Sequence, residues 1–150
     1  MKIIKLMNSS ASRESFRPER NLLHKEYKSE GQAHTVRQME IIQSLVDNIP
    51  VLSVSGKIDA VTSRDLESAL IGLMDQNKKI LVVDMEKVEF LSSSGLRVLM
   101  ESLNRLKHED GDLKLAALQP FVKDVFVLTG ANRFFSIYPS QGEAIESLRS

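Results

Sequence analysis

Hydrophobic and polar positions change their period several times between residue 37 and the C-terminus, and each change marks an expected element. Met39–Val46 alternates loosely, and residues 51–55 alternate more clearly. Asp47-Asn48-Ile49-Pro50 separates the two runs, so they predict an antiparallel hairpin, with Gly56 ending its second strand. Over 62–77 the period lengthens. Leu66, Ala69, Leu70, Leu73 and Met74 fall on one helical face, with Asp65 and Glu67 near the positive end of the helix. Ile80-Leu81-Val82-Val83 is an unbroken, largely β-branched run, short enough to predict a strand buried on both faces and ended by Asp84. A charged turn carrying Val88, Phe90 and Leu91 leads to Ser92-Ser93-Ser94-Gly95. From there Leu96, Leu99, Met100, Leu103 and Leu106 predict a helix that starts at the serines.

Asp110-Gly111-Asp112 closes that helix, and 113–118 reads as another strand. Pro120 suits a first helical turn, with Phe121, Val122, Val125, Phe126 and Leu128 as the expected buried stripe and Gly130 as the stop. Residues 134–137 predict a short strand, and 140–148 a last helix turning Ala144, Ile145 and Leu148 inward. Strands alternating with helices imply an α/β layer fold with right-handed crossovers.

Composition divides the chain. Residues 1–36 are polar and broken by Asn8-Ser9-Ser10, Arg17-Pro18 and Ser29-Glu30-Gly31, a composition that does not support a core. The expected organisation is therefore a flexible extension over 1–36 and one domain over 37–150, with a short helix at 21–28 as the sharper alternative for the extension. Charge adds little: the 20 Lys and Arg balance the 20 Asp and Glu. Direct attachment to nucleic acid, which needs clustered cations to displace counterions, is not expected. With no cysteine, disulfides, thiolate metal sites and a cysteine nucleophile are excluded. No apolar run approaches the roughly 20 residues of a membrane helix, and the first residues are too short for a signal peptide, so a cytoplasmic protein without membrane attachment is expected.

The serine cluster carries the candidate chemistry. One serine before a helix is an ordinary N-cap, whose hydroxyl accepts an orphan amide hydrogen. Three beside a glycine place several hydroxyls at the positive end of a helix dipole, where an anion is stabilised. A nucleophilic serine would need a base within reach. The domain's one histidine, His108, falls near the far end of the same helix, on the order of 20 Å from Ser93. His24 and His34 lack metal-ligand spacing, and no phosphate-loop, dinucleotide or Gly-x-Ser-x-Gly pattern occurs. No cofactor is implied. What remains is the serine cluster as an acceptor of modification, on a loop that a kinase can reach. Asp59 reads equally as a cap for the helix near Thr62 and as a functional loop residue; Arg97 is an exposed cation one turn beyond the serines.

Ser92-Ser93-Ser94-Gly95-Leu96-Arg97, preceded by Val88-Glu89-Phe90-Leu91, resembles the signature of the STAS domain, specifically of bacterial anti-sigma factor antagonists. Val54-Ser55-Gly56-Lys57-Ile58-Asp59 is similar to another block of that family, a strand ending in Gly-x-(Leu/Ile)-Asp. The likeness runs from about residue 37 onward. It implies a STAS-like single domain, a small mixed β-sheet covered by about four α-helices. It also implies a non-enzymatic regulatory role: binding an anti-sigma factor that is also an ATP-using serine kinase, inactivation by phosphorylation, and restoration by a PP2C-type phosphatase. Carried over by position, Ser92 stands where the family has Asp or Ser, Ser93 is the phosphoacceptor with Ser94 as second choice, and Asp59, Ser92, Ser93, Ser94, Gly95 and Arg97 form the partner-binding surface. The alternative is a STAS scaffold subunit of a stress-sensing or transport assembly, in which the serines only cap the helix; an enzyme with Ser93 as nucleophile carries the least weight.

Overall fold

The computed structural model describes Ile4–Leu6 and residues 38–149. Met39–Val46 (β2) and Ile49–Ile58 (β3) form the expected hairpin. Its turn is tighter than the sequence suggested: Asp47 and Asn48 alone make it, both at positive φ (54° and 69°), while Ile49 and Pro50 already belong to β3. Asp and Asn tolerate that region because their short polar side chains bond locally, and such turns match the twist of the flanking strands. Ile4–Leu6 (β1) pairs antiparallel with β2, so the sheet draws three residues from the segment set apart as an extension. The rest of that expectation, including the helix at 21–28, lies outside the described residues.

The main revision concerns the segment before the serines. Ile80–Leu91 (β4) is one 12-residue strand, not a short strand followed by a charged turn. It runs parallel to β3 with two register shifts, between Ser53 and Ser55 and between Gly56 and Lys57, each inserting an extra residue on the β4 side. Those bulges break the alternation, so Met85, Val88 and Leu91 reach the core at intervals of three. Gly56 does not end β3. It sits at the second shift with φ 96°, where a Cβ would lie 2.1 Å from the Gln38 carbonyl oxygen, and the strand continues past it to Ile58.

Ser63–Asp75 (α1) and Ser93–His108 (α2) follow β3 and β4 as expected. Asp112–Ala116 (β5), Pro120–Thr129 (α3), a 3₁₀ turn at Ala131–Arg133, Ser136–Tyr138 (β6) and Gln141–Glu146 (α4) complete the order. The sheet is six-stranded and mixed, in the order β1-β2-β3-β4-β5-β6, with β3 through β6 parallel. Leu66, Leu70 and Leu73 of α1, Val98, Leu99, Leu103 and Leu106 of α2, and Val122 and Phe126 of α3 share one core with Leu52, Val54, Leu81, Val83, Leu113 and Leu115. A smaller cluster on the opposite face seats Ala144 and Ile145 of α4 on Val51, Val82 and Ala116.

The stripe expected on α3 is only half correct. Val122 and Phe126 are fully buried and Phe126 meets Phe135 edge-on at 5.6 Å, but Phe121 is 55% exposed and Leu128 85%. Helix α3 is apolar on more faces than the sheet can cover, so periodicity alone could not say which face turns inward.

Candidate functional site

The β3 and β4 strands end together. Ile58 is in register with Leu91, and the Ser92 amide donates to the Ile58 carbonyl at 2.8 Å, which sets the Asp59 loop directly beside the serine loop. Both loops thus stand at the carboxyl ends of neighbouring parallel strands.

Ser92 is the N-cap of α2. Its extended backbone (φ −85°, ψ 171°) leaves the helix, and its Oγ accepts the Gly95 amide at 3.1 Å. Ser93 is the first helical residue, exposed, and its hydroxyl has no hydrogen-bond partner among the described residues. Ser94 is half-buried. The amides of Ser93 and Ser94 precede any helical carbonyl that could accept from them, so they point out of the helix end with no partner among the described residues. The helix end thus has one hydroxyl engaged in capping and one, on Ser93, that is exposed.

Gly95, expected on the binding surface, is buried. A Cβ at this position would lie 2.6 Å from Ile58 Cγ2 and 2.8 Å from Leu91 Cδ1. The missing side chain lets the first turn of α2 rest on the ends of β3 and β4, which holds Ser93 in a fixed position above them.

Asp59 is half-buried and heavily engaged. Its Oδ1 accepts the amides of Val61 and Thr62, both at 2.9 Å, and the Thr62 hydroxyl at 3.1 Å; the Asp59 amide in turn donates to Thr62 Oγ1 at 2.8 Å. The Thr62 backbone amide, more than its hydroxyl or the Val61 amide, holds the Asp59 carboxyl below the ordinary value of 3.8. This reciprocal bonding at i, i+3 has the local logic of a capping box, but it closes the turn ahead of α1, whose own N-cap is Thr62. The sequence marks the buried Thr62 only as the start of a helix and not as the partner of Asp59, although Asp-x-x-Thr ahead of an apolar helical run is a legible signal. Also unanticipated are Val61 and Phe90, exposed apolar side chains on the segments flanking the two loops.

Arg97 is exposed one turn along α2 and pairs with Glu101 at 3.4 Å. His108 is the last residue of this 16-residue helix, about 22 Å along its axis from Ser93, and its Nδ1 bonds the Asn104 carbonyl. No described histidine therefore stands near the serine as a base. Among the described residues no group of three or more metal-ligating side chains converges, and no helix is long and apolar enough to cross a membrane.

The model of the STAS domain family matches residues 40–144. The chain belongs to the STAS domain family. Among curated STAS relatives, BtrV of Bordetella bronchiseptica is 29% identical over 101 residues, covering 67% of this chain and 84% of that protein. The anti-sigma-F factor antagonist RsfB of Mycobacterium tuberculosis is 27% identical over 103 residues, covering 69% and 84%. Among solved STAS structures, an anti-sigma factor antagonist from Mycobacterium paratuberculosis superposes with a TM-score of 0.69 at 33% identity, covering 75% of this chain and 95% of that one. The mixed sheet with four described α-helices is the STAS fold.

Proposed function

We propose that this STAS domain is an anti-sigma factor antagonist: a binding module rather than an enzyme, which engages an anti-sigma factor with serine kinase activity and is switched off by phosphorylation of Ser93. The observation that carries the reading is the free Ser93 hydroxyl. It is exposed, it has no hydrogen-bond partner among the described residues, and it stands on a helix end seated by the Ser92 cap and by Gly95 packed on Ile58. The relatives RsfB and the Mycobacterium paratuberculosis protein, both anti-sigma factor antagonists, support the same partner class.

The partner would contact the Asp59 loop with Val61, the serine loop, and Phe90 at the end of β4. Exposed apolar side chains flanking a rigid polar centre suit a docking surface, because the apolar groups supply burial and the serines set register. In the kinase step the Ser93 oxygen forms a bond to the γ-phosphorus of ATP as the bond to ADP breaks, and the kinase's base takes the hydroxyl proton. The product carries about −1.5 to −2 charges where the partner had buried a neutral hydroxyl, so rebinding meets desolvation and repulsion while the fold is retained. A PP2C-type phosphatase would return the serine by hydrolysis. Intact mass after incubation with the cognate kinase and ATP tests the assignment: wild type gains one phosphate and Ser93→Ala gains none, whereas equal labelling of the variant refutes it.

A second reading, a STAS scaffold subunit, draws on a different surface. Phe121 and Leu128 leave an apolar strip on α3. If full-length protein elutes as a large assembly that Phe121→Ser with Leu128→Ser disperses, the scaffold reading gains over the antagonist.

A further inference from the structure

Ser93, Arg97 and Glu101 occupy successive i, i+4 positions of α2 and all three are exposed, so they line one face of the helix. In the unmodified protein Arg97 Nη1 lies 3.4 Å from Glu101 Oε2, with the two side chains 65% and 57% exposed. Such a pair contributes little, and its direction is the weaker one: cation N-terminal to anion opposes the helix dipole. An anion at Ser93 would stand one turn N-terminal to the same guanidinium, the stronger direction. A phosphate there also carries more charge than a carboxylate and offers three oxygens to the planar fork of arginine. Resting on the reading of Ser93 as the phosphoacceptor, we propose that Arg97 exchanges partners with modification state, holding Glu101 when Ser93 is bare and the phosphate when it is modified.

The exchange makes Arg97 a positioning residue for the switch. It holds the phosphate against the surface of its own helix, leaves fewer phosphate oxygens for an incoming phosphatase, and lengthens the life of the inactive form. It also frees the Glu101 carboxylate on the outer face of α2. Asp59, whose loop adjoins the serine loop, is committed through Oδ1 to its own loop amides and the Thr62 hydroxyl and acts alike in all variants compared below.

The test uses full-length protein with phosphoserine placed at position 93 during translation, so that no kinase is needed. Phosphorus NMR titration gives the second phosphate pKa, ordinarily about 6. Arg97→Ala and Arg97→Gln should each raise it by about 0.4 unit relative to the phosphorylated wild type, and Glu101→Gln should leave it equal or lower. Dephosphorylation by a PP2C-type phosphatase should be faster in both Arg97 variants. A phosphate pKa unchanged on removing Arg97, with an amide spectrum showing an intact fold, overturns the exchange. Failure of the kinase to label Ser93 would instead refute the phosphoacceptor reading, which this titration does not measure.

Discussion

Two glycine-to-alanine substitutions in neighbouring helices should change stability in opposite directions, and the difference tests how α2 is seated. Gly72 lies inside α1, and a Cβ there would meet nothing within 4 Å. Gly72→Ala should therefore gain only the helical advantage of alanine, about 0.5–1 kcal/mol. Gly95→Ala gains at most the same, but its Cβ would sit 2.6 Å from Ile58 Cγ2 and 2.8 Å from Leu91 Cδ1. Carbon atoms prefer about 3.5–4.0 Å, so the first turn of α2 or two buried side chains must move by roughly 1 Å. Overpacking of this kind costs about 1–3 kcal/mol, leaving a net loss of about 1 kcal/mol. For a domain of this size that lowers Tm by about 4 °C, while Gly72→Ala raises it by about 3 °C. Thermal and urea unfolding with unchanged m-values would measure both. If Gly95→Ala stabilises the protein as much as Gly72→Ala does, α2 does not rest on Ile58 and Leu91. The proposed fixed position of Ser93 then loses its basis.

The serines should separate in the same assay. Ser92→Ala removes the cap on the Gly95 amide and should cost about 1 kcal/mol, whereas Ser93→Ala, which breaks no hydrogen bond among the described residues, should stay within about 0.5 kcal/mol of wild type. Equal losses would mean that Ser93 is structural. Asp59 predicts a pH effect. Its folded pKa lies below the ordinary 3.8, so its stabilisation is full above that value and is lost as pH falls through the lowered one. Asp59→Asn should therefore be less stable than wild type at pH 7, with the gap narrowing in acid; a gap constant from pH 7 to about 2 would refute the assignment. A last outcome concerns the apolar flank: Val61→Ser and Phe90→Ser, both at exposed positions, should leave Tm nearly unchanged yet weaken anti-sigma factor binding, measured by calorimetry, each by about tenfold. Unchanged affinity in both would remove these side chains from the interface.

Some of this architecture can be read from the residues because local and global signals coincide. Helix α2 has a serine cap, an apolar stripe and a glycine-containing stop, and its described bounds begin at the serines as the pattern requires. The hairpin is equally legible, since Asp47-Asn48 is turn chemistry between two strand patterns. Strand β4 is not, because its second half depends on a partner: only beside β3, with two extra residues absorbed in bulges, does a three-residue spacing of Val88 and Leu91 belong to a strand. The α3 face fails for a related reason, since Phe121 and Leu128 are as apolar as the residues that are buried and only the position of the sheet decides between them.

The site divides along the same line. Ser92, Ser93 and Asp59 announce themselves by residue type at an element boundary. The role of Gly95 depends on Ile58 and Leu91, which come from separate strands, so the sequence marks the glycine without saying what it makes room for. The proposed switch depends on that division. A hydroxyl can report modification to a partner without refolding only if its support lies elsewhere in the chain, and here the support is the buried end of the β3–β4 pair. Substitutions at Ile58 or Leu91 should therefore act on stability and on the placement of Ser93 together, whereas Ser93 itself can change charge at little cost to the fold beneath it.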